Sequence, residues 1–246
     1  MNPAMPKRNF SLWLFLLCLF SVVHADILDL NEMEETDNQP YRSLPFFRVS
    51  GDYGMGLHLG GNDSGATKEG QDFNKKTRLG GAYYLDAQVY PWPKGGLGIF
   101  YSSYSSDDQA LGIRMYPADP APYDVTKKIS LRLYGPIFSS RVRAGPVLIL
   151  GGVGAGPLQW RETDTYGNFR YEIEGDTYGI LGQIGCDLPV IRALSLGVNI
   201  RLILASLKKY KVNGETFQIE DDPDNHIIYY HSLNRLEITA GLRFGL

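Results

Sequence analysis

From Phe47 to Gly60 the chain alternates apolar and polar residues. Phe47, Val49, Tyr53, Met55, Leu57 and Leu59 take the odd positions, joined by Gly51, while Arg48, Ser50, Asp52, Gly54, Gly56, His58 and Gly60 take the even ones. A period of two held over fourteen residues is the signature of an extended strand with two chemically different faces, because a helix would repeat every 3.6. The segment that follows repeats the pattern. Leu79, Tyr83, Leu85, Ala87 and Val89 share one face, and Arg78, Gly80, Tyr84, Asp86 and Gln88 the other.

Further strands follow along the chain. Residues 96–104 carry Leu97, Ile99 and Tyr101 on one side, and 128–137 alternate Ile129, Leu131 and Leu133 against Ser130, Arg132 and Tyr134. The stretch 142–160 changes its apolar phase near Gly151-Gly152, which predicts a β-bulge. A sixth strand carries Tyr178, Ile180, Ile184 and Leu188. A seventh sets Leu194, Leu196, Val198, Ile200, Leu202 and Leu204 against Ser195, Gly197, Asn199 and Arg201. The last sets Leu236, Ile238, Ala240, Leu242, Phe244 and Leu246 against Arg235, Glu237, Gly241 and Arg243. The count is eight, and each strand is about as long as the ~9–11 residues that cross a bilayer at a tilt.

Short and long connections alternate. The short ones fall at Pro91-Trp92-Pro93-Lys94-Gly95, Phe138-Ser139-Ser140 and Pro189-Val190-Ile191, and the long polar ones at 61–76, 105–126, 161–170 and 208–233. Short periplasmic turns and long outer loops are the habit of a membrane barrel, and this order sets both ends of the barrel on the periplasmic side.

The N-terminus agrees with export. Lys7 and Arg8 precede an apolar run from Phe10 to Val23, and Val23-His24-Ala25 offers a cleavage site, so residues 1–25 read as a signal peptide. Cys18 follows Leu16 and Leu17, where lipidation requires small residues. Removal of Lys7 and Arg8 takes the formal charge from −3 to −5 and leaves Cys186 alone, so no internal disulfide can form. Residues 26–44 form an acidic lead (Asp26, Asp29, Glu32, Glu34, Glu35 and Asp37 against Arg42), and 45–246 the barrel. No later segment reaches the ~18 apolar residues of a spanning helix.

The orientation of the faces separates a membrane barrel from a soluble one of the lipocalin kind, which turns its apolar face inward. The polar face here mixes charge with very small residues: Gly54, Gly56, Gly80, Ala82, Gly98, Ser102, Ser130, Ser195 and Gly197. Small size is a requirement of a narrow eight-stranded interior and not of a solvated surface. Arg48, Asp52, Arg78, Asp86, Arg132, Arg201, Glu237 and Arg243 are therefore expected inside, paired with one another as a structural ladder. Phe46, Phe47, Tyr90, Trp92, Phe138 and Phe244 fall near the inner ends of the strands, and Tyr101, Tyr104, Trp160 and Tyr171 near the outer ends, as two interfacial belts. The predicted fold class is all-β, an eight-stranded antiparallel up-and-down transmembrane β-barrel.

The C-terminus reads Thr239-Ala240-Gly241-Leu242-Arg243-Phe244-Gly245-Leu246. It resembles the signal that outer-membrane barrels present to their insertion machinery, with Leu246 where Phe is usual. With the glycine-rich stretch Gly151-Gly152-Val153-Gly154-Ala155-Gly156 and eight strands, the chain from about Leu44 onward resembles the small outer-membrane β-barrel proteins, similar in outline to OmpX, OmpW and the membrane part of OmpA. The resemblance implies the cell outer membrane of a Gram-negative bacterium, contact with its lipid and lipopolysaccharide, insertion through the C-terminal strand, a monomer and no nucleic acid partner.

No catalytic, cofactor-binding or metal-ligating residue is assigned. The run 151–156 lacks the spacing and the Lys-Ser/Thr of a phosphate loop and reads as a crowded strand. His231-Ser232 near Asn234 and Glu237 invites comparison with lipid A deacylases, but there His and Ser are one residue apart. Adjacent residues project to opposite faces of a strand, so a surface-loop pair is the simpler reading. Glu220-Asp221-Asp222-Pro223-Asp224-Asn225 offers oxygens to a divalent cation without regular ligand spacing and reads as an exposed acidic loop. Cys186 shares a face with Ile184 and Leu188 and reads as inert. The leading expectation is a non-enzymatic surface barrel whose loops carry interaction or envelope-stabilising roles. The alternatives are a narrow pore or route for small apolar solutes and, third, a lipid A-modifying enzyme.

Overall fold

In the computed structural model the alternating segment becomes β1 (Phe47–His58), whose polar side chains Arg48, Ser50, Asp52 and His58 are buried and whose apolar ones face out, Tyr53 being 70% exposed. The structure describes residues 44–60, 66–191, 193–219 and 231–245. The signal segment 1–25, the acidic lead up to residue 43, the acidic loop 220–225 and Leu246 lie outside the described residues.

After β1 come α1 (Lys68–Thr77), β2 (Leu79–Val89), β3 (Gly95–Ile113), β4 (Tyr123–Ala144), β5 (Val147–Tyr166), β6 (Phe169–Ile191), β7 (Leu194–Leu207), β8 (Lys209–Val212), β9 (Glu215–Gln218), β10 (His231–Ser232) and β11 (Arg235–Gly245). Strands β1 to β7 pair antiparallel in chain order, β7 pairs with β11, and β11 pairs with β1. Eight strands thus close into a ring with no free edge, as lipid demands of a spanning sheet. The seam is regular from Arg48↔Gly245 to His58↔Arg235.

The outer surface carries the apolar set: Val49, Met55, Leu85, Ile99, Phe138, Val153, Ile184, Leu188, Leu196, Val198, Ile200, Ile238 and Leu242 are all exposed. In water such a girdle would be untenable; in hydrocarbon it is the matching surface. On β3 to β6 it ends at one row in register, Ser103↔Arg132↔Gln159↔Asp176, beyond which the outward residues are polar or charged except Leu111 near the end of β3. The strands do not stop there. They run on to Ile113, Tyr123, Tyr166 and Phe169, with Lys128–Asp107 (2.7 Å) and Arg170–Glu172 (2.8 Å) ion pairs on their flanks. The β8–β9 hairpin adds to the side of this projection through Ile173↔Val212 and Glu174↔Lys211.

Several expectations need correction. The inner turn between β4 and β5 lies at Gly145-Pro146, not at 138–140; Gly145 has φ of +59°, a conformation that needs glycine. Ser139 and Ser140 instead pair in mid-strand with Gly152 and Gly151. No bulge interrupts β5 at Gly151-Gly152, because its pairing with β6 is continuous from Leu148↔Asp187 to Tyr166↔Phe169. The apolar phase is lost there because β5 carries apolar residues on both faces: Leu148, Leu150, Leu158 and Trp160 point into an apolar interior, while Ile149 and Val153 are exposed outside. The same cause reverses the faces of β4, where Ile129, Leu131 and Leu133 are buried and Arg132 is exposed above the lipid belt. Tyr90, Tyr104 and Trp160 also point inward and leave the aromatic belts. Of the four long loops, 105–126 and 161–170 are mostly strand, 61–76 contains most of α1, and 208–233 contains β8, β9 and β10.

Candidate functional site

The barrel interior has two halves. Arginines and carboxylates from β1, β2, β6, β7 and β11 fill one. Arg48 bridges Asp86 (3.2 Å) and Asp187 (3.0 Å), Arg243 donates to Asp187 (3.0 Å) and pairs with Asp52, and Arg201 pairs with Asp52 as well. Asn199 donates to Asp52 (2.7 Å), and Arg201 donates to Gln183 (3.1 Å) and Thr239 (2.6 Å) while lying over the Tyr84 ring at 3.5 Å. Next to them Arg235 donates to Glu237 (2.7 Å) and to Ser102 (2.8 Å). Four arginines (48, 201, 235, 243) face four carboxylates (52, 86, 187, 237), so the described ladder is neutral overall, as buried charge must be to avoid a large desolvation cost. Sequence reasoning missed Asp187, although it alternates with the outward Cys186 and Leu188, and it wrongly included Arg132. Arg78 is half-buried at the end of α1.

Leu131, Leu133, Leu158, Leu181 and Ile203 fill the other half, with Tyr104 and Phe100. Arg201 and Arg235 have 0% exposure, so the ladder seals its side of the lumen as the leucines seal theirs. Gly154 belongs to this packing: a Cβ there would lie 2.6 Å from the Phe100 ring, so the glycine run is a strand crowded by a neighbour's aromatic side chain.

Above the apolar layer sits a second polar group. Trp160 stacks on His231 (centroids 4.6 Å) and donates its indole N–H to Glu162 (3.2 Å). Lys127 reaches Glu162 at 2.5 Å and Asp164 at 3.7 Å. Asp164 lies beyond the lipid belt, and burial, with the neighbouring Glu162 charge, pushes its carboxyl up to about 6 against the pull of Lys127. Burial likewise holds His231 below the ordinary histidine value. Ser232 pairs with Ser206 of β7, the Asn234 side chain accepts from the Ala205 amide (2.9 Å), and Glu237 is engaged in the ladder. The four deacylase-like residues are thus committed to different partners and form no Ser–His–acid chain.

The projection ends in aromatic residues. Tyr116, Tyr123, Tyr166, Phe169 and Tyr171 line a cleft of about 310 Å³. The Tyr123 hydroxyl donates to Asp119 (2.7 Å), which also accepts from the Tyr116 amide (2.7 Å), and the Tyr166 hydroxyl donates to Asp164 (3.1 Å). The two bonds from Tyr116 and Tyr123 hold the Asp119 carboxyl below its ordinary value, and burial beside Asp119 raises the Tyr123 phenol to about 12. Helix α1 supports this end from the side. Thr67 caps it by accepting from Gly70 (3.1 Å), Glu69 and Lys75-Lys76 match its dipole, and Phe73 packs on Met115 and Val125. Cys186 is exposed on the apolar outer face of β6.

No protein-family model and no curated protein sequence matches the chain. Among solved structures it is similar to a major outer membrane protein from Thermus thermophilus, at 11% identity and a TM-score of 0.53 over 81% of this chain and 99% of that one. Neisserial surface protein A (14% identity, TM-score 0.48, 81% of this chain and 97% of that one) and OprG from Pseudomonas aeruginosa (11%, 0.45, 83% and 97%) are also similar. With a closed eight-stranded ring, an apolar outer girdle and an interior filled half by an ion-pair ladder and half by leucines, the chain has the fold of the small outer-membrane β-barrels.

Proposed function

We propose that this protein is a non-conducting, non-enzymatic surface barrel whose work is recognition by the part of β3 to β6 that rises beyond the membrane. The observation that carries this reading is the contrast between the two ends of the molecule. The lumen is occupied by an interlocked ladder with Arg201 and Arg235 wholly buried, while the projecting strands end in exposed rings. Eight strands leave an interior just wide enough for side chains, and here large ones take the space. Moving Arg201 aside to open a path would break its contacts with Asp52, Gln183, Thr239 and Tyr84 together. In this reading the barrel acts as a monomeric anchor in lipid and lipopolysaccharide, delivered by a cleaved segment 1–25 and inserted through β11.

Purified protein in planar bilayers tests this reading. The expected record is flat at physiological voltages. Stable unitary conductance steps would overturn the proposal in favour of a pore. Lipid A of unchanged acylation, by mass spectrometry with and without the protein, is the matching expectation against an enzyme.

A further inference from the structure

The rings of the tip cleft turn corners. Tyr123 and Tyr166 meet edge to face (84° between planes, centroids 6.2 Å apart), and Tyr166 and Tyr171 meet at 62° and 6.0 Å. Tyr116 and Phe169 complete the lining of the open cleft, three of whose rings stand at angles to one another and not in a flat stack.

The electrostatics of the cleft select a cation. Two of its phenols, Tyr123 and Tyr166, spend their protons on Asp119 and Asp164. A phenol that donates to a carboxylate gains electron density, which makes its ring face more attractive to positive charge. The tip segments 114–124 and 164–172 contain Asp119, Asp124, Asp164 and Glu172 against Arg114 and Arg170; Arg170 is paired with Glu172 and Lys127 lies 3.7 Å from Asp164, which leaves Asp119 and Asp124 against Arg114. The lining itself is aromatic throughout. A phosphate would require cationic or N–H donors that this lining lacks, and a primary ammonium would lose strong hydration without finding an acceptor for each of its three protons. A quaternary ammonium has no N–H to satisfy and is bound by ring faces alone.

We propose that the tip cleft binds a quaternary ammonium group of the choline type, free or carried on a lipid headgroup. This rests on the tip being the recognition part of the molecule, as proposed above.

The test uses the full mature chain in nanodiscs of phosphatidylglycerol, which contain no choline. Tetramethylammonium, choline and glycerophosphocholine are titrated by calorimetry, with 3,3-dimethylbutanol as the uncharged isostere of choline. Saturable binding of the cations is expected, about tenfold tighter than the isostere, the margin that cation–π attraction supplies. Glycerophosphocholine at least as tight as choline points to a lipid source, and weaker binding to free choline. Tyr123→Leu and, independently, Phe169→Leu should each weaken choline about fivefold or more, and Tyr166→Phe, which keeps the ring and loses the Asp164 contact, about two- to threefold. Each variant is first shown to keep the folded, heat-sensitive gel band. Equal affinity for the isostere, no binding of any cation, or undiminished binding by both folded ring deletions would overturn the assignment. A silent barrel that fails these tests loses only the choline assignment, whereas a conducting barrel refutes the surface-recognition reading whatever the cleft binds.

Discussion

At the scale of single residues, Asp52 is the keystone of the ladder. It takes charge-assisted bonds from Arg201 and Arg243 and a further bond from Asn199. Removing one partner of a buried ion pair leaves the others charged and uncompensated, a cost of about 3–5 kcal/mol. Asp52→Ala should therefore lower the urea midpoint of the folded gel band by that equivalent, whereas Arg132→Ala, outside the barrel, should shift it by less than about 0.5 kcal/mol. Equal effects would mean that the ladder is not a unit of stability. Asp164 makes the opposite kind of contribution. Its carboxyl is raised to about 6, above the ~4 of an unfolded aspartate, so its stabilising share is complete below about pH 4 and is lost as pH rises through 6. Hydrogen exchange in the outer part of β4 and β5, corrected for intrinsic rate, should show more protection at pH 5 than at pH 7.5. Asp164→Asn should flatten that dependence, and a slope unchanged by the substitution would assign it elsewhere.

Strands differ in how much of their length the sequence discloses. Where one face meets lipid and the other meets the ladder, as on β1, β7 and β11, the two chemistries alternate and the strand is plain to read. On β4 and β5 the interior is built from Leu131, Leu133, Leu158 and Trp160, so apolar residues lie inside at one level and outside at another. Polarity then ceases to report direction, which is why a bulge and an early turn were expected where the pairing is regular. Helix α1 was hidden for another reason: Phe73 is its one large apolar residue. Its N-cap Thr67 with Glu69 in the first turn and lysines in the last was the available signal. The second polar group and the tip cluster were not legible either, since Lys127 meets Asp164, and Tyr116 meets Tyr166, only through the register of β4 on β5 and the course of the β3–β4 connection. The outer projection can be tested as an element. Replacing 163–172 with an Asn-Gly turn shortens β5 and β6 above the lipid belt while sparing the ladder and the leucine layer. The trimmed protein should keep its heat-sensitive mobility and lose tip binding. Failure to fold would show that the projection supports the barrel instead of standing on it.

For the molecule as a whole, the decisive contact is also the most remote in sequence. β1 finds its second neighbour only in β11, at Arg48↔Gly245, a separation of 197 residues (245 minus 48). Until that last strand arrives, the nascent sheet has two unpaired borders, each a row of bare amides and carbonyls that hydrocarbon penalises and a second chain could capture. Insertion and closure are therefore one event, and the chain must be kept apart from its copies throughout its passage to the membrane. The long wait before that first-to-last handshake exposes the unfinished sheet to capture, and the closed ring removes that hazard for good.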